Sequence, residues 1–126
     1  MKVIQTNAAP AAIGPYSQGI ASGTLVFTSG QLPIDMASGE LETADIKKAA
    51  KNSLDNCKAI LEAASSSLDN VIKTTVFLTD MADFAAMNDV YATYFKGNPP
   101  ARSCVQVAAL PKGAKVEIEV IAEIKF

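Results

Sequence analysis

From Lys115 to Lys125 the chain alternates without a break. Val116, Ile118, Val120, Ala122 and Ile124 fall on one side, and Glu117, Glu119, Ile121 and Glu123 on the other. Successive side chains of an extended strand point to opposite faces, so this segment reads as a strand with one face in a core. The other face is neither fully polar nor fully apolar. A sheet face of that kind is often an interface between copies of a chain.

A second period governs the middle of the chain. Ile46, Ala49, Ala50, Ser53, Leu54, Cys57, Ile60, Leu61 and Ala64 form one stripe at helical spacing, with Asp45 suited to the first turn. Val71–Thr79 (VIKTTVFLT) is a β-branched strand. Asp80 is placed to cap a second helix running through Phe95, with Phe84, Met87, Tyr91 and Phe95 on its buried face, and Gly97-Asn98-Pro99-Pro100 ends it. Further strands are expected at Val3–Thr6, at Arg102–Val107, and at Tyr16–Ile20 and Thr24–Ser29 as a hairpin around Ala-Ser-Gly. Residues 30–42 form a loop. Val71, Thr75 and Phe77 would join the mixed face of the last strand if the registers match. These elements predict an α+β fold in one domain, residues 1–126, with a single mixed sheet of about six strands and two helices packed on one face.

Composition narrows the chemistry. Of 126 residues none is histidine, which excludes Ser-His-Asp and Cys-His catalysis and histidine metal ligands. The two cysteines, Cys57 and Cys104, are too few and too far apart for a zinc site. A net charge of −2 without a basic run argues against a dedicated nucleic-acid partner. No apolar run approaches a membrane span of ~20 residues, and no signal-peptide core forms before Pro15. The chain reads as cytoplasmic, with free thiols.

Arg102 follows a Pro-Pro stop and opens a β-branched run. Its fork of N–H donors matches a planar carboxylate, although a surface salt bridge would equally occupy it. A glutamate on the last strand can hold or activate water, but spacing alone does not choose among Glu117, Glu119 and Glu123. An arginine and a carboxylate so placed point to a small carboxylate-bearing molecule that undergoes hydrolysis. Cys104 shares the face of Arg102, yet no histidine or adjacent lysine would form its thiolate. Asn88 falls within or beside the buried arc of the second helix. Its amide either ties down a neighbouring loop or acts at the cleft. Tyr16 follows a Pro-set turn, and the Ser29-Gly30 pair lets the backbone approach a ligand closely.

Five blocks carry a resemblance: AAPAAIGPYSQG at 8–19, FTSGQLP at 27–33, SLDNCKAILEAA at 53–64, VIKTTVFLTDMADFAAMNDVY at 71–91 and PPARSCVQVAALPKGAKVEIEVIA at 99–122. On these the chain resembles the RidA (YjgF) family of enamine/imine deaminases. The resemblance implies the chorismate-mutase-like fold, a homotrimer with sites in clefts between subunits, and neither cofactor nor metal. It implies hydrolysis of 2-aminoacrylate, 2-iminopropanoate and 2-iminobutanoate, released by pyridoxal-phosphate enzymes, to 2-keto acids and ammonia. It singles out Glu117 as the residue that orients water and Arg102 as the binder of the substrate carboxylate. Tyr16 becomes a pocket wall, Ser29 and Gly30 become donors opposite Arg102, and the Cys104 carbonyl contacts the substrate nitrogen. Gln106 stands where several relatives have an acid and Ala109 where many have arginine, which alters the rim. Two rival readings accompany it, a 2-keto-acid-binding regulator and an endoribonuclease or translation inhibitor.

Overall fold

The structure is a computed structural model that describes residues 1–125. Six strands form one sheet: β1 (Lys2–Ile4), β2 (Gly19–Ser22), β3 (Leu25–Thr28), β4 (Val71–Leu78), β5 (Ala101–Gln106) and β6 (Val116–Glu123), in the spatial order β1-β2-β3-β6-β4-β5. Neighbours are antiparallel except β4 and β5, which are parallel. A parallel pair needs a crossover, here supplied by helix α2 (Phe84–Tyr94). Helix α1 (Ile46–Ala63) crosses the same face, packing on β6, β3 and α2. The sheet with both helices on one face is therefore as the alternation and the stripe dictate. No helix among the described residues is long and apolar enough to cross a membrane.

The alternating strand β6 lies inside the sheet, between β3 and β4. Val116, Ile118, Val120 and Ala122 are buried under the helices together with Leu54, Ile60 and Leu61 of α1. Burying each large aliphatic side chain contributes about 1.5–3 kcal/mol, so this seam is the main stabilising element. Asp45, expected in the first turn of α1, stands just before it as the N-cap, accepting from the Lys47 and Lys48 N–H groups.

Several elements differ from expectation. The first strand is Lys2–Ile4 rather than Val3–Thr6, because the Thr6 N–H is taken by Gln18 Oε1. The second begins at Gly19, not Tyr16, since the Tyr16 N–H turns back onto the Gly14 carbonyl. Asp80 caps a short 3-10 turn, Met81–Asp83, accepting from the Ala82 N–H, and α2 follows that turn. Val71 faces the core and not the mixed face. A register shift between Val71 and Lys73 restarts the alternation, leaving Lys73, Thr75 and Phe77 paired with Ile121, Glu119 and Glu117.

Two α1 residues outside the apolar stripe, Asn52 and Asn56, are also buried. Asn56 Nδ2 donates to the carbonyls of Leu32 (3.2 Å) and Ile34 (3.0 Å), and Asn52 Nδ2 to that of Pro33 (3.3 Å). The helix thus clamps the start of the 30–42 loop. Asn56→Ala should lose about 1–3 kcal/mol, since the partly buried Ile34 carbonyl loses its side-chain partner and the Leu32 carbonyl keeps only the Ile34 N–H. Hydrogen exchange should accelerate at residues 31–36 before the helices loosen. Uniform exchange throughout the chain would show that the clamp is not local.

Candidate active site

Between the pairs Phe27–Ile121 and Gln31–Ile118, one segment advances four residues (27 to 31) and the β6 segment facing it three (121 to 118). The extra residue pushes Ser29-Gly30 outward beside β6. Gln31 and Ile118 then close the ladder, with N–H to carbonyl distances of 2.7 and 3.2 Å. This excursion brings Gly30 under the Glu117 side chain. A Cβ on Gly30 would lie 2.7 Å from Glu117 Cδ and 2.9 Å from Cγ, far inside contact distance. A larger residue here would have to push the Glu117 side chain aside, a constraint of close approach and not of an unusual φ.

Glu117 and Gly30 line a cleft of about 610 Å³ whose walls include Tyr16, Ile34 and Met36. Of the three outward carboxylates on β6, only Glu117 lines it. Burial pushes its carboxyl above the ordinary glutamate range, and the neighbouring Glu119 charge adds to the shift. Ser29 Oγ donates to the Ser17 carbonyl (2.6 Å) and its N–H to that of Gln18 (2.9 Å). Of the Ser29-Gly30 pair, the Gly30 N–H is the donor left without a partner among the described residues.

Arg102, Asn88 and Cys104 gather elsewhere, on the helix face of the edge strand β5. Arg102 pairs with Thr74 and Cys104 with Val76, both buried under the helices. Arg102 Nη1 donates to Asn88 Oδ1 at 2.6 Å, and its guanidinium lies over Tyr91, 4.7 Å from the ring centre. Asn88 is thus tied to the arginine, not to a loop. Burial raises the Cys104 thiol pKa, against a smaller opposing pull from Arg102, which disfavours the thiolate. The Cys57 thiol, fully buried in α1, is pushed up to about 12 and is inert. Among the described residues no three His, Cys, Asp or Glu side chains converge as a metal site.

Two residues of the cleft were not singled out by sequence pattern. Gln18, buried, accepts from the Thr6 N–H and donates to the carbonyls of Thr6 and Pro10, so it shapes the loop carrying Tyr16. The signal was its two-sided amide after a Pro-Tyr turn, which can bind backbone donors and acceptors at once. Lys112 lines the cleft with a left-handed backbone, φ 59°. On the rim, Gln106 accepts from the Met81 N–H (2.7 Å) and joins β5 to the start of the turn before α2.

The chain matches the family model described as Endoribonuclease L-PSP over residues 6–124. It is 51% identical to the 2-iminobutanoate/2-iminopropanoate deaminase of Mus musculus over 121 residues, 96% of this chain and 90% of that protein. The crystal structure of E. coli TdcF with bound serine superposes with a TM-score of 0.94 at 51% identity, covering 99% of this chain and all (100%) of that one. The structure of the E. coli YjgF gene product gives 0.95 at 48%, with coverage of 99% and 100%.

Two outcomes test the cleft. Gly30→Ala should displace the Glu117 side chain and cost about 1 kcal/mol in denaturant unfolding, the low end for overpacked sites because the clashing carboxylate can move. In a Glu117→Ala background the same change should cost much less, because the clashing atoms are gone. Equal costs in both backgrounds would place the strain elsewhere. Separately, the raised Glu117 pKa means folding favours its protonated form. That contribution is complete below the ordinary glutamate pKa and is lost as pH rises through the folded value. Glu117→Gln should therefore melt above the natural protein at pH 7–8, the difference closing as pH falls through the ordinary glutamate range. A pH-independent difference would show no such shift.

Proposed function

The chain belongs to the endoribonuclease L-PSP (YjgF/RidA) family, and on that premise we propose that it is a deaminase of small reactive imines and enamines. Its substrates are 2-aminoacrylate, 2-iminopropanoate and 2-iminobutanoate, and its products 2-keto acids and ammonia. We read residues 1–126 as one RidA-like domain of a cytoplasmic enzyme. The observation that carries the reading is the state of Arg102. It is half-buried, oriented by Asn88, and in no ion pair among the described residues, so its charge is uncompensated and matches a substrate carboxylate.

The chemistry needs little machinery. An enamine first takes a proton on its terminal carbon and becomes the imine. Water then adds across C=N, its oxygen bonding to carbon. Glu117 accepts the proton that water loses and returns it to nitrogen, giving a carbinolamine. The same carboxylate then takes the hydroxyl proton and passes it to the amino group as the C–N bond breaks, releasing ammonia and the keto acid. A carboxyl poised above its ordinary pKa exchanges a proton more readily near neutral pH, and such general acid–base catalysis contributes ~10²–10⁴-fold. Fixing the substrate carboxylate in the Arg102 fork supplies the orientation. Tyr16 would wall the pocket, and the Gly30 N–H and Cys104 carbonyl would contact the substrate.

Arg102 and Glu117 lie on opposite faces of the sheet, with β4 between their strands. One copy cannot therefore place both against one small molecule. The mixed face adds a reason to assemble: Phe27 and Val105 are 40% and 44% exposed in the single chain, on the same face as Ile121, Phe77 and Glu117. We take the assembly to be a homotrimer with Arg102 of one subunit facing the Glu117 cleft of the next.

Imines made in situ by an amino-acid oxidase provide the assay, read as ammonia release or loss of the imine. The natural protein should accelerate hydrolysis, and Arg102→Ala and Glu117→Gln should each abolish most of it. Unfolded together and refolded, the two variants should regain about a quarter of the natural activity, the share of clefts in which both intact residues meet. No recovery in mixed trimers would place both residues in one subunit's site. Tight 2-keto-acid binding without turnover would favour the regulator reading instead.

A further inference from the structure

Arg102 is held on several sides by groups that take none of its charge. Asn88 Oδ1 accepts from Nη1 at 2.6 Å, and the guanidinium carbon lies 4.7 Å from the centre of the Tyr91 ring and 5.4 Å from that of Phe84. Tyr91 is itself fixed. It is buried, its hydroxyl is 2.7 Å from Thr74 Oγ1, and its ring meets Phe95 at 4.6 Å. Thr74 is the β4 residue paired in register with Arg102, so the platform and the arginine are referenced to the same rung of the sheet.

An amide is an unusual choice of partner for a guanidinium. A carboxylate of the same shape would make the stronger, charge-assisted hydrogen bond. Aspartate would also neutralise the arginine and compete for its N–H edge. Asparagine orients one nitrogen through a neutral oxygen and leaves the positive charge intact. Aromatic faces act likewise, since their attraction for a cation comes from the ring quadrupole and transfers no charge.

We infer that Asn88 and Tyr91 are positioning residues for Arg102. Asn88 sets the rotation of the fork as a neutral acceptor, and Tyr91, anchored on Thr74, sets its plane, so that the remaining N–H groups meet a substrate carboxylate with full charge. The inference rests on Arg102 being the carboxylate binder. It adds that the neutrality of its partner is what keeps that site open.

The test is calorimetric binding of 2-oxobutanoate to the assembled protein, with KM and kcat for imine hydrolysis measured alongside. Asn88→Asp, nearly isosteric, should bind at least about tenfold more weakly, the scale of one charge-assisted hydrogen bond that the ligand no longer makes. It should also bind more weakly than Asn88→Ala, and should raise KM more than it lowers kcat. Its melting temperature should hold or rise, because an ion pair has formed. A purely structural asparagine predicts the reverse order, with the isosteric change milder than truncation, and that order overturns the inference. Tyr91→Phe should retain most of the binding that Tyr91→Leu loses, since the ring remains. Equal losses in these two overturn the platform role, and this pair decides if Asn88→Asp does not assemble. Should Arg102→Ala still bind 2-oxobutanoate, the reading of Arg102 itself falls. Should Arg102→Ala lose binding while Asn88→Asp keeps it, only the present inference falls.

Discussion

The cleft depends on the closure of Gln31 onto Ile118. Those two backbone hydrogen bonds resume the ladder after β3 has ended, and the resumption is out of step by one residue. Without the mismatch, a loop residue would continue β3 in regular register beside Glu117. With it, Gly30 arches out and its bare Cα packs under the carboxylate. Asn52 and Asn56 hold the next residues from the helix side, so the loop is fixed from both directions. The desolvation that raises the Glu117 pKa follows from this backbone geometry and needs no nearby special group.

The fold keeps its two charged groups in opposite conditions. Glu117 lies in a cleft with apolar walls and a like-charged neighbour, where ionisation is disfavoured. Arg102 lies on aromatic rings and an amide, where its charge is retained and unneutralised. Within reach of each other in one chain they would pair, lowering the glutamate pKa and neutralising the arginine. Opposite faces of the sheet prevent that. In the assembly proposed above, the two approach only across a subunit boundary, where rigid sheets set their separation and a substrate can sit between them.

What the sequence disclosed divides along physical lines. The strand β6, helix α1 with its Asp45 cap, and the buried face of α2 rest on periodicity over eight or more residues, and they stand within a residue or two of where pattern placed them. Short segments did not behave so well. Tyr16 left its expected strand because one hydrogen bond to Gly14 outweighs weak local strand preference. Val71 changed faces because one irregular rung inverts all alternation before it, and a β-branched run carries no mark of that slip. The choice of Glu117 over Glu119 and Glu123 was illegible from spacing for a similar reason. All three share a face, and what separates them is a glycine distant in sequence that reaches only one. Gln18, Asn52 and Asn56 escaped because a buried amide is distinguished by its backbone partners, which belong to loops without periodicity.

The position of β5 at the sheet edge bears on the remaining substrate contact. On a central strand both rows of backbone groups are consumed by neighbours, so no carbonyl could be offered to a ligand. On an edge strand every second residue turns its N–H and C=O away from the sheet. The role that family resemblance gives the Cys104 carbonyl is available only on such an edge, and β5 is one. An open edge also invites uncontrolled pairing with other strands. A trimer in which a neighbouring cleft covers this edge would restrain that pairing while leaving the carbonyl facing a substrate. The burden then falls on residues beside the strand, and this chain has the exposed Gln106 accepting from the Met81 N–H at the strand's end, joining β5 to the turn that precedes α2. The same edge that leaves the Cys104 carbonyl open is thereby fixed in place, as the proposed contact with a small substrate would require.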